Sequence, residues 1–232
     1  MRYTTVLFDA DGTLFDFLRA EKEALSETLL AFGITPEEER IKAYSAINDR
    51  LWKALERGEI EKDVLRLKRF ELFCEKYGFI RDIPKMASLY TDNLATKGHL
   101  IDGADMLCRK LYGKVRLYIV TNGIDFVQKG RMAVSGIKDF FDAVFISGEI
   151  GIEKPDVKYF EHVASHIENF SKKETLIVGD SLTSDIKGGI AFGLDTCWYN
   201  PIRKETPEDM KITYITKNFD EIYDIIVTES EN

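Results

Sequence analysis

Apolar positions along this chain follow two periods, and the change from one to the other divides it. Thr5 to Phe8 is a short apolar run that reads as a buried strand and stops abruptly at Asp9. Between residues 17 and 96 the apolar residues recur three and four apart, which is the helical period. Leu18 to Phe32 predicts a first helix with Ala20, Ala24, Leu25 and Leu29 inward and Gly33 at its end. Thr35-Pro36-Glu37-Glu38 reads as a capped start for a second helix, which carries Ile41, Tyr44, Ile47, Asn48, Leu51, Trp52 and Leu55 and closes at Gly58. Val64, Leu67, Phe70, Phe73, Cys74 and Tyr77 predict a third, stopped by Gly78, and Met86, Leu89, Tyr90 and Leu94 a fourth after Pro84. The aromatic stripe Phe70, Phe73 and Tyr77 belongs to a bundle core on this reading.

After Gly98 the pattern changes. A helix opens at Asp102-Gly103-Ala104, and short apolar runs then alternate with helical segments. Strands are predicted at Val115–Val120, Ala143–Ile146, Thr175–Val178 and Thr196–Tyr199, with a weaker one near Tyr214. Helices are predicted over Ile124–Ser135, from Lys154-Pro155 to about Glu168, over Ser184–Phe192 and from Phe219; Ser147 to Glu153 reads as a Gly-containing loop. Nearly all-apolar strands alternating with helices predict an α/β fold, a doubly wound parallel sheet covered on both faces. The expected organisation is a core of residues 1–16 and 97–232, with a small all-helical domain of residues 17–96 inserted after the first strand. Thr228 to Asn232 is expected to be disordered.

The polar residues gain meaning from that arrangement. Asp9 and Asp11, Thr121 and Asn122, Lys154, and Asp180 and Asp185 all follow a strand or open the next helix. Singly each is an ordinary turn or cap. On a doubly wound sheet they share the rim at the carboxyl ends of the strands, where ligands bind. Carboxylates converging there repel one another unless a cation or a proton lies between them. Oxygen donors with no soft ligand suit a hard cation, Mg²⁺ first, which leaves positions for waters and a phosphate oxygen. A lysine, a hydroxyl and backbone N–H groups suit the remaining phosphate oxygens, and one aspartate is available as a nucleophile toward phosphorus.

Composition removes other classes. Over 232 residues, 44% hydrophobic and 31% charged, the chain can bury a substantial core. No run of eighteen apolar residues exists, and Met1 to Thr5 leads into the first strand without a signal-peptide pattern, so neither membrane insertion nor secretion is expected. A net charge of −8 offers no basic face for nucleic acid. Cys74, Cys108 and Cys197 are far apart and in apolar surroundings, as buried free thiols in a reducing, cytoplasmic setting would be. His162 and His166 are spaced as zinc ligands on a helix can be, but Val163 stands where the zinc-protease pattern needs a glutamate.

Taken together, Asp9-Ala10-Asp11-Gly12-Thr13, Thr121, Glu153-Lys154-Pro155 and Gly179-Asp180-Ser181-Leu182-Thr183-Ser184-Asp185 resemble, in order, the four motifs of haloacid dehalogenase-superfamily phosphatases. The resemblance implies a Rossmann-like core with a helical cap over the site, Asp9 as nucleophile, and Asp11 as general acid and then base, lending its backbone carbonyl to Mg²⁺. It implies Thr121, Asn122 and Lys154 as phosphate-binding residues and Asp9, Asp11, Asp180 and Asp185 around the metal, Asp185 directly or through water. An acid at position 11 favours phosphatase or phosphomutase over the dehalogenases and cation pumps of the superfamily, which lack it. The opening stretch to Phe17, Thr121-Asn122-Gly123, Gln128 and Arg131 resemble the branch containing bacterial pyrimidine 5′-nucleotidases. That branch implies a small phosphorylated metabolite, a nucleoside monophosphate, as partner, and a monomer or homodimer. Phe15 and Phe17 are placed by it near the cap entrance, either stacking on a base or packing a hinge. A sugar-phosphate phosphatase or phosphomutase on the same core is the alternative.

Overall fold

A computed structural model describes residues 2–228. Strand β1 (Thr5–Phe8) is followed by four helices, α1 (Phe17–Ala31), α2 (Glu38–Glu56), α3 (Lys62–Tyr77) and α4 (Ile83–Ala95). The alternating part follows as α5 (Ala104–Leu111), β2 (Arg116–Thr121), α6 (Asp125–Val134), β3 (Ala143–Ile146), α7 (Ser147–Ile150), α8 (Val157–Ser165) and β4 (Thr175–Gly179). It ends with α9 (Lys187–Phe192), β5 (Asp195–Tyr199), β6 (Tyr214–Thr216) and α10 (Phe219–Val227). The predicted doubly wound α/β class is the observed one. Among the described residues, six strands form one sheet in the order β3-β2-β1-β4-β5-β6, and every pairing is parallel.

The chain winds outward from β1 through β2 to β3, then returns to lay β4 on the other side of β1. Phe8 therefore pairs with Ile119 of β2 on one side and Val178 of β4 on the other. The carboxyl ends of β1 and β4 flank the point where the winding reverses, and loops leaving them in opposite directions leave a crevice there. Successive strand residues face opposite sides. Val6, Phe8, Leu117, Ile119, Leu176 and Val178 pack with α5 and α10, while Leu7, Tyr118, Val120 and Ile177 pack with α8 on the other face.

Helices α1 to α4 enclose an apolar centre of their own, built from Ala24, Leu25, Leu29, Tyr44, Phe70, Phe73, Met86 and Tyr90. Tyr44 lies 5.1 Å from Phe70 and 5.5 Å from Tyr90, ring centre to ring centre, and Val127 of α6 joins the cluster from the sheet side. Phe70 and Phe73 are buried in that centre and Tyr77 packs against it.

Three local features differ from expectation. Helix α2 starts at Glu38 with no side-chain cap, because Thr35 instead closes a tight turn onto Glu37 N–H (2.9 Å) and takes Arg40 Nη1 on its carbonyl (2.7 Å). Thr35 and Pro36 thus precede the helix. The Ser147–Glu153 loop contains the single turn α7, ended by Gly151 in the left-handed region at φ +76°. The helix expected from Ser184 is preceded by one wide turn over Leu182–Ile186, since the Ser181 carbonyl accepts from both Asp185 N–H and Ile186 N–H at 3.1 Å. The segment Glu229 to Asn232 of the expected disordered tail lies outside the described residues. Thr228 lies within them and donates its hydroxyl to the Asp224 carbonyl.

Candidate active site

The crevice collects the residues singled out at the strand ends. Asp9 continues the β1 ladder for one more bond, Asp9 N–H to the Val178 carbonyl at 2.9 Å, which fixes its side chain over the reversal point. The chain then turns tightly, with Leu14 and Phe15 N–H both donating to the Ala10 carbonyl at 2.9 and 2.8 Å. Gly12 allows this turn at φ +85°, and it also makes room. A Cβ there would stand 2.7 Å from Asp180 Oδ2, so the Asp180 carboxylate lies directly against the Asp11–Gly12 backbone. Gly179 does the same for Asp185, whose Oδ2 would be 2.3 Å from a Cβ at 179.

Lys154 is held from both ends. Asn122 donates Nδ2–H to the Lys154 carbonyl (2.8 Å) and accepts the Lys154 N–H on Oδ1 (2.9 Å), clamping the loop that carries the lysine. The Lys154 ammonium is buried and donates to Asp9 Oδ1 (2.7 Å), Asp185 Oδ1 (2.6 Å) and the Val120 carbonyl (2.7 Å). Its three N–H donors thus have three acceptors. Asp185 is fully buried and accepts Ser181 N–H on its second oxygen at 3.1 Å. Asp9 Oδ2 has no hydrogen-bond partner among the described residues.

Asp9, Asp180 and Asp185 each bring an oxygen within 4.8 Å of the others, the one such group of three potential metal ligands among the described residues. Burial pushes the Asp9 carboxyl well above its ordinary range; Asp185 pushes it further and Lys154 opposes. Burial, and then the charge of Asp185, pushes Asp180 up to about 7. Burial works against the Lys154 ammonium, but Asp185 and Asp9 more than offset it and its pKa rises. Lys154 therefore pairs with both Asp9 and Asp185, whereas Asp180 has neither a salt-bridge nor a side-chain hydrogen-bond partner among the described residues. Its backbone is anchored instead, by Trp198 Nε1–H donating to its carbonyl at 2.9 Å. An unpaired carboxylate beside two others, all with hard oxygen donors, fits a divalent cation of the Mg²⁺ type.

Asp11 is drawn away from that group. Gln128 Nε2–H donates to its Oδ2 at 2.6 Å, and the fully buried Arg131 guanidinium binds its Oδ1. Arg131 also donates Nε–H to the Lys97 carbonyl (3.1 Å) and lies over the Phe15 ring at 4.7 Å. Thr121, at the end of β2, is buried with its hydroxyl accepting Gly123 N–H at 3.1 Å. Asn122 has its amide committed to Lys154, so its side chain positions the lysine loop. The crevice thus brings Asp9, Asp11, Thr121, Asn122, Lys154, Asp180 and Asp185 to the wall of one cavity of about 390 Å³.

Helix α2 forms the opposite wall. Asp49, Trp52, Lys53 and Glu56 face the cavity, and Glu56 accepts the Thr183 hydroxyl at 2.7 Å. Lys62, at the start of α3, pairs with Glu153 (3.0 Å) and donates to the Ser147 hydroxyl (2.8 Å). Phe15 is fully buried in the sheet-side core, whereas Phe17 reaches the cavity, so the two aromatics divide between packing and lining. Trp52, Glu56 and Trp198 were missed by the sequence reading. The 49, 52, 53 and 56 spacing marks one helix face, but only the packing shows which face meets the cavity.

His162 of α8 and His166, just past its end, have tilted rings with centres 4.2 Å apart, remote from this group. All three cysteines are free and buried. No described helix is long and apolar enough to cross a membrane.

The haloacid dehalogenase-like hydrolase model matches residues 3–193. The chain is 38% identical to the pyrimidine 5′-nucleotidase PynA of Streptococcus pneumoniae over 227 residues, covering 97% of this chain and 96% of PynA. It is 31% identical to the pyrimidine 5′-nucleotidase YjjG of Escherichia coli over 226 residues, covering 97% and 99% respectively. Among solved structures, that of the HAD-hydrolase YfnB from Bacillus subtilis, bound to magnesium and described as revealing interdomain movement, superposes with a TM-score of 0.93 at 39% identity, covering 98% of this chain and 100% of that one. The chain belongs to the haloacid dehalogenase-like hydrolases.

Proposed function

We propose that this haloacid dehalogenase-like hydrolase is a Mg²⁺-dependent phosphomonoesterase that acts on nucleoside 5′-monophosphates through an aspartyl phosphate at Asp9. The observation that carries the reading is the set of buried Asp9 and Asp185 with half-buried Asp180, their oxygens within 4.8 Å of one another and Lys154 pairing only two of the three. Helices of residues 17–96 serve as the cap over a core of residues 1–16 and 97–232. The nucleotide preference rests on the similarity to PynA and YjjG.

Asp9, Asp180 and Asp185, with the Asp11 carbonyl, would hold the ion. Bound Mg²⁺ would offset negative charge on the phosphate oxygens. The residues of the chain do the rest. Asp9 Oδ2 attacks phosphorus, its Oδ1 being held by Lys154. The bond from phosphorus to the ester oxygen breaks, its electron pair leaves with that oxygen, and Asp11 supplies the proton that makes it an alcohol. Asp11, now a carboxylate, takes a proton from water as the water oxygen attacks phosphorus. The bond from phosphorus to Asp9 breaks, and inorganic phosphate departs. Lys154 keeps a positive charge beside the incoming phosphate throughout. Thr121 and the backbone N–H groups of its loop meet the remaining phosphate oxygens.

A panel of nucleotides, sugar phosphates and aryl phosphates, assayed for phosphate release with Mg²⁺ and with chelator, tests the reading. Chelator-sensitive hydrolysis led by nucleoside monophosphates is expected. Turnover of sugar phosphates alone, or return of phosphate to the substrate, would replace it with the sugar-phosphatase or mutase reading.

A further inference from the structure

Beside the main cavity is a slot of about 20 Å³, room for one water-sized group, and the two share Asp11, Phe17, Trp52 and Gly123 in their walls. Three buried polar side chains line the slot with partners missing among the described residues: Arg69 at Nε and Nη2, Arg131 at Nη2, and Gln128 at Oε1. They are 1%, 0% and 2% exposed, so bulk solvent does not satisfy them. A buried polar group without a partner is costly, and several around one small void point to something that fills it.

The charge balance narrows what that is. Arg69 Nη1–H donates to Asn48 Oδ1 (3.3 Å), and Asn48 Nδ2–H donates to the buried Glu21 carboxylate (2.9 Å). Arg131 is paired directly with Asp11, whereas Arg69 has the Glu21 charge one residue away, through Asn48. Neither guanidinium needs a further anion, and a bare oxyanion would face the lone pairs of Gln128 Oε1. The unmet groups are guanidinium N–H donors and one amide oxygen acceptor. A neutral group that both accepts and donates matches them: a ring carbonyl with an adjacent N–H, or a hydroxyl.

We infer that Arg69, with Gln128 and Arg131, forms a specificity slot for one such neutral polar group on the leaving alcohol of the substrate. Arg69 reaches the slot from α3, so discrimination is made by a helix remote in sequence from the chemistry. This rests on the phosphatase reading above. It adds that hydrolysis is selective for esters whose alcohol carries a carbonyl–N–H edge or a hydroxyl within reach of the slot.

The test compares kcat/KM for uridine 5′-monophosphate, ribose 5-phosphate and phenyl phosphate, with Mg²⁺, in wild type, Arg69→Met and Arg69→Lys. Uridine 5′-monophosphate offers both candidate groups, ribose 5-phosphate only hydroxyls, and phenyl phosphate neither. The ratio of uridine monophosphate to phenyl phosphate should fall about 10- to 100-fold in Arg69→Met, the size expected for one charge-assisted hydrogen bond, and less in Arg69→Lys. If ribose 5-phosphate loses rate in parallel with the nucleotide, the slot takes a hydroxyl; if it behaves like phenyl phosphate, the slot takes the base edge. An unchanged ratio overturns the inference and leaves a slot that holds an ordered water only. An equal loss on all three esters also overturns it, since that is what a structural role gives. Should Arg69→Met fail to fold, wild type and Arg69→Lys still decide. A wild type no better with uridine monophosphate than with phenyl phosphate contradicts the slot, as does an unshifted ratio in Arg69→Lys. Failure of wild type to hydrolyse any of the three esters instead removes the phosphatase reading itself, which separates the two.

Discussion

Two buried cations, one on the wall of the main cavity and one on the wall of the adjoining slot, have different surroundings. Lys154, on the sheet rim, has each of its N–H donors matched, to Asp9, Asp185 and the Val120 carbonyl. Arg69, in the helical block, has one matched nitrogen and two without partners. The first arrangement is closed: it fixes two carboxylates, holds charge in place and asks nothing of a ligand. The second is incomplete, and it stays so until something enters the slot. On the proposed reading, the lysine of the reaction centre has every donor matched, and the arginine of the recognition slot has donors left open.

Substituting the two cations should therefore have unequal effects. Lys154→Met strands two buried carboxylates and should cost about 3–5 kcal/mol of folding stability, measured by urea denaturation, with turnover falling at least about 100-fold. Arg69→Met also removes groups that were already unpartnered, so its stability cost should be smaller, about 1–3 kcal/mol. Equal costs would erase the distinction between a closed and an open site.

The third carboxylate sharpens the same contrast, because Lys154 does not reach it. Asp180, pushed up to about 7 from its ordinary 3.8, binds a proton in the folded chain over a pH range where the unfolded chain has released it. Stability therefore falls as pH rises between those limits, and Asp9, shifted in the same direction, adds to the trend. Chelator-treated protein should show a higher Tm at pH 5.5 than at pH 8, about 100 mM salt held constant to fix screening. Asp180→Asn should flatten that slope, and Mg²⁺ should raise Tm most at pH 8, where the ionised site binds it. A Tm that rises with pH in the chelated protein would contradict the assignment.

The smallest expected effect lies at the contacts joining the helices to the sheet side. Lys62→Ala removes a partly exposed pair with Glu153, and its stability cost should stay below about 1 kcal/mol. If the helical block moves during turnover, KM should change more than Tm, and steady-state kinetics beside calorimetry would show it.

The rim was legible in the sequence because parallel topology leaves little choice. All-apolar strands such as Thr175–Val178 can only be buried, and residues after their carboxyl ends must share one edge. Asp9, Lys154, Asp180 and Asp185 were found in this way, although the sharing of one lysine by two carboxylates was not visible. The proposed recognition side was hidden for a physical reason. Arg69 sits in Leu67-Lys68-Arg69-Phe70, where a charged pair on a helix reads as solvated surface, yet it is fully enclosed by the packing of α1, α2 and α4. Trp52 shares its helix with true core residues, and periodicity does not separate an apolar residue that fills a core from one that lines a cavity. The start of α2 failed similarly, because Thr35-Pro36-Glu37-Glu38 has capping residues at suitable spacing while the Thr35 carbonyl is taken by Arg40.

The proposed chemistry turns on the covalent step at Asp9. Rapid acid quench during turnover of a nucleoside monophosphate, followed by borohydride reduction and peptide mapping, converts a phosphorylated aspartate to homoserine. The prediction is homoserine at position 9, dependent on Mg²⁺ and absent in Asp9→Asn; homoserine at position 180 or 185, or turnover with none at position 9, would contradict it.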